Sequence, residues 1–252
     1  ALAKRAFGAL MGVRDAFIEH FAEDNLGYGP GPIMGREKWQ SRPAAPFKLE
    51  WSPEAGEIAA SGDFGYTFGP WQLRSPDAPE APPAAGHFFS IWERDTQGRF
   101  RNVLDHGIDH ALAPLATEAV RRGPPAAKAR AARLSPAATN TRLQSLLTAD
   151  RELARAVATA TGVSARKTVA SDDIAWLRNG SLPTYGPAAA PSDGAIDAQQ
   201  LASLRIAASG DLAMSTGWNG DATKAAVYVR VWRHDGRAWQ LVVDYLQIPP
   251  AS

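Results

Sequence analysis

The densest run of residues able to do chemistry is Asp105-His106-Gly107-Ile108-Asp109-His110. Histidines spaced His-x3-His beside carboxylates could ligate a metal. That spacing brings two imidazoles together on a helix. This segment reads as strand, where the pair shares a face but lies about 13 Å apart along it. No metal site is expected. No cofactor is expected either, because the chain has no Gly-rich phosphate loop, nucleophile elbow or His-Glu-x-x-His. Asp105 is the better candidate. Facing an apolar interior it could act as a general acid or base; facing elsewhere it would cap a turn or pair with an arginine such as Arg94. His87 opens a strand and, if on the inward face, would serve as a proton shuttle beside Asp105. The bland alternative is a surface or hydrogen-bonded structural histidine. Tyr66 is a second candidate helper.

Aromatic residues could cage a flat or greasy ligand, or simply fill a core. Tyr28, Trp51 and Trp71 flank loops and, with Tyr66, are the expected pocket residues. Trp92 and Trp232 lie in apolar runs and are expected in the core.

Positioning these residues is the task of a repeated frame. Ser61-Gly62-Asp63-Phe64 returns as Ser209-Gly210-Asp211-Leu212, 148 residues on. Ala22-Glu23-Asp24 returns as Ala170-Ser171-Asp172, again 148 apart. Ile91-Trp92 followed by Phe100-x4-Asp105 returns as Val231-Trp232 followed by Trp239-x4-Asp244. Three blocks in one order indicate a duplicated domain. Asp244 is then the counterpart of Asp105, with Arg233 within reach. The histidines have no counterparts, so any chemistry is expected in the first half. The Ser-Gly-Asp elements read as tight turns.

The chain has 252 residues, enough for two domains with cores of their own. Lys and Arg total 27 against 26 Asp and Glu, a balance that argues against a nucleic-acid or anionic-membrane surface. The absence of cysteine excludes thiol catalysis, thiolate metal sites and disulfides. No apolar stretch approaches the roughly 18 residues of a membrane span. The sequence opens Ala1-Leu2-Ala3, and removal of a signal peptide, with export, would account for such a start.

Periodicity predicts helices over 2–24, broken at Gly12, then a strand at 26–28, a helix at 35–42, and strands from Phe47 to Ile108. Residues 113–135, with Arg121-Arg122-Gly123-Pro124-Pro125, read as a linker between domains 1–112 and 136–252. The second domain repeats the order: a helix over 139–170, a strand at 174–177, and strands near 201–208, 212–218, 225–233 and 238–247. Helices first and antiparallel strands afterwards predict an α+β fold, with helices on one face of a curved sheet.

Several blocks carry a family likeness: Phe21-Ala22-Glu23-Asp24, Gly29-Pro30-Gly31-Pro32, Gly35-Arg36-Glu37, Leu49-x-Trp51-x-Pro53, Ser61-Gly62-Asp63-Phe64-Gly65-Tyr66, and Ile91-Trp92-x-Arg94-x3-Gly98-x-Phe100-x4-Asp105-x-Gly107. Together they resemble the DUF4440/SnoaL-like branch of the NTF2-like superfamily over residues 1–110. The second half looks like a diverged copy. The resemblance implies two tandem cone-shaped rolls packed as an internal pseudo-dimer, a state compatible with a monomer overall. The superfamily includes ketosteroid isomerases, polyketide cyclases, dehydratases, epoxide hydrolases and protein-association modules. Three functions are therefore expected in turn: binding of a small apolar or aromatic molecule in the first cone, a lyase- or isomerase-like reaction using Asp105, and protein association.

Overall fold

The computed structural model describes residues 12–28, 32–42, 47–116, 120–122, 133–159, 162–193, 199–219 and 226–248. In the first half, α1 (Val13–His20) runs into β1 (Phe21–Tyr28), followed by β2 (Pro32–Met34) and α2 (Gly35–Gln40). Then come β3 (Lys48–Trp51), β4 (Ala55–Ile58), β5 (Phe64–Arg74), β6 (Ala84–Arg94), β7 (Phe100–Asp109) and the two-residue β8 (Arg121–Arg122). In the second half, α3 (Pro136–Val157) and α4 (Gly162–Val169) precede β9 (Ala170–Arg178), β10 (Thr184–Tyr185), β11 (Gln199–Ile206), β12 (Leu212–Asn219), β13 (Ala226–His234) and β14 (Trp239–Gln247).

The architecture is α+β with two mixed sheets. The first runs β2-β1-β7-β6-β5-β4-β8, with β3 also on β5, and the second runs β10-β9-β14-β13-β12-β11. Matching strands keep the same neighbours, and β1–β7 and β9–β14 are equivalent parallel pairs, with β8 adding a further parallel pair on β4. Each sheet turns one face to its own helices. The other faces pack against each other in one apolar core that joins Tyr66, Phe68, Phe89 and Ile91 to Met214, Val227, Val229 and Tyr245.

Local chemistry explains the boundaries. β3 and β4 are one edge interrupted at Ser52-Pro53-Glu54, where proline has no N–H to give the ladder. The edge crosses Gly69, where a Cβ would stand 2.1 Å from the Ser52 carbonyl oxygen. Ser135 caps α3 by accepting from the Ala138 N–H (3.3 Å), with Pro136 at the first helical position. The strand expected at 26–28 begins earlier, at Phe21. Parallel pairing with β7 from Asn102 onward draws the chain out of helix, with an irregularity between Phe21 and Leu26. The helix expected over 139–170 is two helices, and β10 adds a short strand between those expected at 174–177 and 201–208. Residues 2–11 and most of 113–135 lie outside the described residues.

Candidate functional site

An aromatic-lined cavity of the first half has a volume of about 440 Å³; a larger, more polar cleft of about 750 Å³ lies between residues 19–24, residues 93–101 and Arg205. Strand alternation builds the floor of the aromatic cavity. On β6, Phe88, Ser90 and Trp92 face the cavity, whereas Phe89 and Ile91 face the second sheet. On β7, a bulge at Val103 brings Asn102 onto the same face as Asp105. Trp71 of β5 lies over two glycines on adjacent strands: a Cβ at Gly86 or Gly107 would stand 2.8 or 3.6 Å from its indole nitrogen. Trp51, opposite Trp71 in the ladder, and Leu73 extend this wall. The helices supply the roof, with Phe17 stacked on Trp39 at 4.3 Å and the Arg42 guanidinium 4.6 Å from the Trp39 ring centroid.

Beneath the aromatics runs a row of polar groups. Ser90 Oγ donates to Asp105 Oδ1 at 2.5 Å, and Asn102 Nδ2 donates to the same oxygen at 3.4 Å. Buried Asn25 holds Asn102 through its side chain (2.8 Å) and carbonyl oxygen (3.0 Å). Asp105 can thus accept hydrogen bonds at the foot of a cavity with largely apolar walls. That setting suits recognition of a donor on a ligand, or movement of a proton.

The structure corrects three expected assignments, those of His87, Tyr66 and Trp92. His87 and Asp105 lie on opposite faces of the sheet. His87 points to the junction of the halves, with Nδ1 2.6 Å from His110 Nε2 and Nε2 3.3 Å from Glu54 Oε2. Glu54 also accepts from Tyr185 of the second half and from Arg121. His87 is therefore one residue out of phase with the cavity and is not placed beside Asp105. Tyr66 is out of phase too: it is buried between the sheets and bonds to Glu57. Trp51 and Trp71 line the cavity. Tyr28 ends β1, and its side chain lies outside the described residues. Trp92, expected in the core, lines the cavity and donates to Thr67 Oγ1 at 3.0 Å, while Trp232 is fully buried. Sequence reasoning missed Ser90, Asn102, Trp39 and Arg42.

His106 lines the cavity edge and touches the other half, with Nδ1 2.6 Å from the Tyr245 hydroxyl. Burial lowers its pKa to about 4. Among the described residues, no group of three or more His, Asp or Glu is arranged to hold a metal ion.

The equivalent space of the second half is filled by charge. Arg230 stands opposite Asp244 in the ladder, where the first half has Ser90 opposite Asp105. Asp244 pairs with Arg178 at 2.9 Å and with Arg166 at 3.3 Å. Asp193 pairs with both arginines, and Asp150 of α3 takes Arg230 at 2.9 Å. Burial pushes the Asp244 carboxyl up, but Arg178, Arg230 and Arg166 outweigh it and hold the pKa below the ordinary carboxylate range.

No protein-family model and no curated protein matches the chain. Solved structures do. A protein of the DUF3225 family from Pectobacterium atrosepticum is 17% identical, with 44% of this chain and 92% of that chain covered and a TM-score of 0.35. An NTF2-like protein from Pseudomonas putida is 20% identical over 45% of this chain and 89% of its own, with a TM-score of 0.35. An NTF2-like protein with a cystatin-like fold from Novosphingobium aromaticivorans is 17% identical over 47% and 92%, with a TM-score of 0.34.

Proposed function

We propose that the chain is a duplicated NTF2-like protein of the DUF4440/SnoaL-like kind, and that its first half binds a small, flat, largely apolar molecule. One contrast carries the reading. The first half keeps an open aromatic cavity over the Ser90–Asp105–Asn102 row, whereas the second spends the same space on buried ion pairs. A volume of about 440 Å³ suits a ligand of two or three fused rings. Asp105 would take a hydroxyl or amine donor, and Arg42 would face an acidic group near the roof.

Anilinonaphthalene sulfonate has this shape and a matching anion, so it serves as the probe. Energy transfer from the lining tryptophans should saturate at one dye per chain. Trp71→Ala should weaken binding about tenfold, the loss of one stacking surface. Binding unchanged by Trp71→Ala would sink the reading.

A second reading is favoured by the place of Asp105, a carboxylate held by Ser90 and Asn102 at the foot of the cavity, which suits work as acid or base on the bound molecule. A turnover of a lactone, ketosteroid or epoxide that survives Asp105→Asn would remove it.

A further inference from the structure

The face shared by the two sheets has a local two-fold axis. At the axis both sides carry the same residues. Ser61 Oγ and Ser209 Oγ lie 2.8 Å apart, and each also accepts the other's backbone N–H, at 3.2 and 3.1 Å. Asp63 accepts from the Ala208 N–H (3.3 Å), and Asp211 accepts from the Ala60 N–H (2.9 Å). Gly62 and Gly210 make both turns with φ of +71° and +69°, which favours glycine.

Away from the axis the match turns into opposition. Glu57 faces Tyr66 in its ladder and Arg205 faces Met214 in its own, both pairs being 148 residues apart. Glu93 faces Phe64 and Arg233 faces Leu212, again equivalent places with opposite charge. Across the shared face Arg233 grips Glu57 with two bonds, of 2.8 and 2.6 Å. Arg205 pairs with Glu93 at 3.0 Å. Each arginine also holds an aspartate, Asp173 or Asp24, so that charge is alike on both sides. At the swapped positions the first half offers two glutamates and the second two arginines.

We propose that this face is coded for unlike pairing: each half accepts the other and rejects a second copy of its own kind. Two first halves about the same axis would set Glu57 against Glu93 twice. Two second halves would set Arg205 against Arg233 twice, eased by the Asp173 that each Arg233 keeps, whereas two first halves would add Asp24 to the clash, so rejection is strongest between first halves. Glu57 and Arg233 are 11% and 13% exposed, so water screens a clash there poorly, whereas Glu93 and Arg205 border an open cleft and are screened more. The serine contacts would be unchanged by either mistake, which leaves the discrimination to the four charges. An interface with identical residues on its axis and complementary charges off it is what a symmetric pair becomes once its two members are free to differ. The proposal is independent of what the cavity holds.

The test uses the whole protein with a protease site placed within residues 123–132. The folded chain is cut, unfolded in urea, refolded and weighed by native mass spectrometry. Unlike 1:1 pairs should outnumber like pairs by more than about tenfold, the counterpart of about 1.4 kcal/mol. A statistical mixture of like and unlike pairs would overturn the proposal. Glu93→Arg in the same cut protein should produce pairs of first halves, because each introduced guanidinium would then meet Glu57 of its twin. If the cut halves fail to refold, the uncut chain decides. Glu57→Arg and Arg233→Glu should each lower Tm by roughly 5 °C, and the double exchange should recover at least half of the summed loss. Fully additive losses would overturn the proposal.

Discussion

His106 shows how a single side chain records its surroundings. Burial under Tyr245, with a smaller push from the Lys38 charge, lowers its pKa to about 4, whereas an unfolded imidazole titrates near its ordinary 6.5. The unfolded chain therefore binds a proton that the folded chain refuses. This contribution is complete above pH 6.5 and declines as pH falls toward 4. Urea unfolding at pH 7 and pH 5 should show the natural protein losing about 1–2 kcal/mol more than His106→Gln. Equal losses would refute the assignment. The His87 assignment failed for a related reason. Both faces of β6 are covered, so 86–92 reads as one nearly continuous apolar run and gives no polar alternation to say which parity looks inward. Asn102 was hidden by the bulge at Val103, which no pattern of residue types announces.

Among the elements, α3 and α4 do different work from α1 and α2. They send Asp150 and Arg166 into the second sheet, where Asp193, Asp244, Arg178 and Arg230 complete a balanced set of three acids and three bases. Removing one charge leaves its partners buried and uncompensated, at a cost of about 3–5 kcal/mol. Asp244→Asn should accordingly lower Tm by about 10 °C, with Asp105→Asn, at the foot of an open cavity, costing far less. Equal losses at the two positions would show that the two sites are not divided between structure and binding. Since the Asp244 pKa is depressed in the fold, its stabilisation is present above pH 3.8 and is lost as pH falls further. The order of strands was legible because Ser-Gly-Asp turns and aromatic strands recur at fixed spacing. The ion-pair network was not, because Asp150, Arg166 and Asp193 come from segments with no matching motif in the first half, and only folding brings them together. The start of β1 at Phe21 was equally hidden, since parallel pairing with β7 overrides a helical pattern.

For the whole molecule, the decisive feature is that the sheets share one core. Phe89 stacks on Tyr245 at 6.5 Å, and the Tyr245 hydroxyl donates to the Gly107 carbonyl oxygen at 2.9 Å. Neither sheet can lose its partner without exposing fully buried residues such as Phe89, Ile91, Val229 and Val231. Exposing that much apolar surface costs more than a half could recover by staying folded alone, because each buried side chain of this size contributes about 1.5–3 kcal/mol. The two halves should therefore melt together, despite a chain long enough for two independent domains. Calorimetry should show one transition, with an enthalpy near 180 kcal/mol at about 60 °C and a matching van't Hoff value. Asp244→Asn, although confined to the second half, should move that single transition down without splitting it. Two peaks, or a van't Hoff enthalpy near half the calorimetric one, would mean that the halves fold separately and that the shared face is only a docking contact.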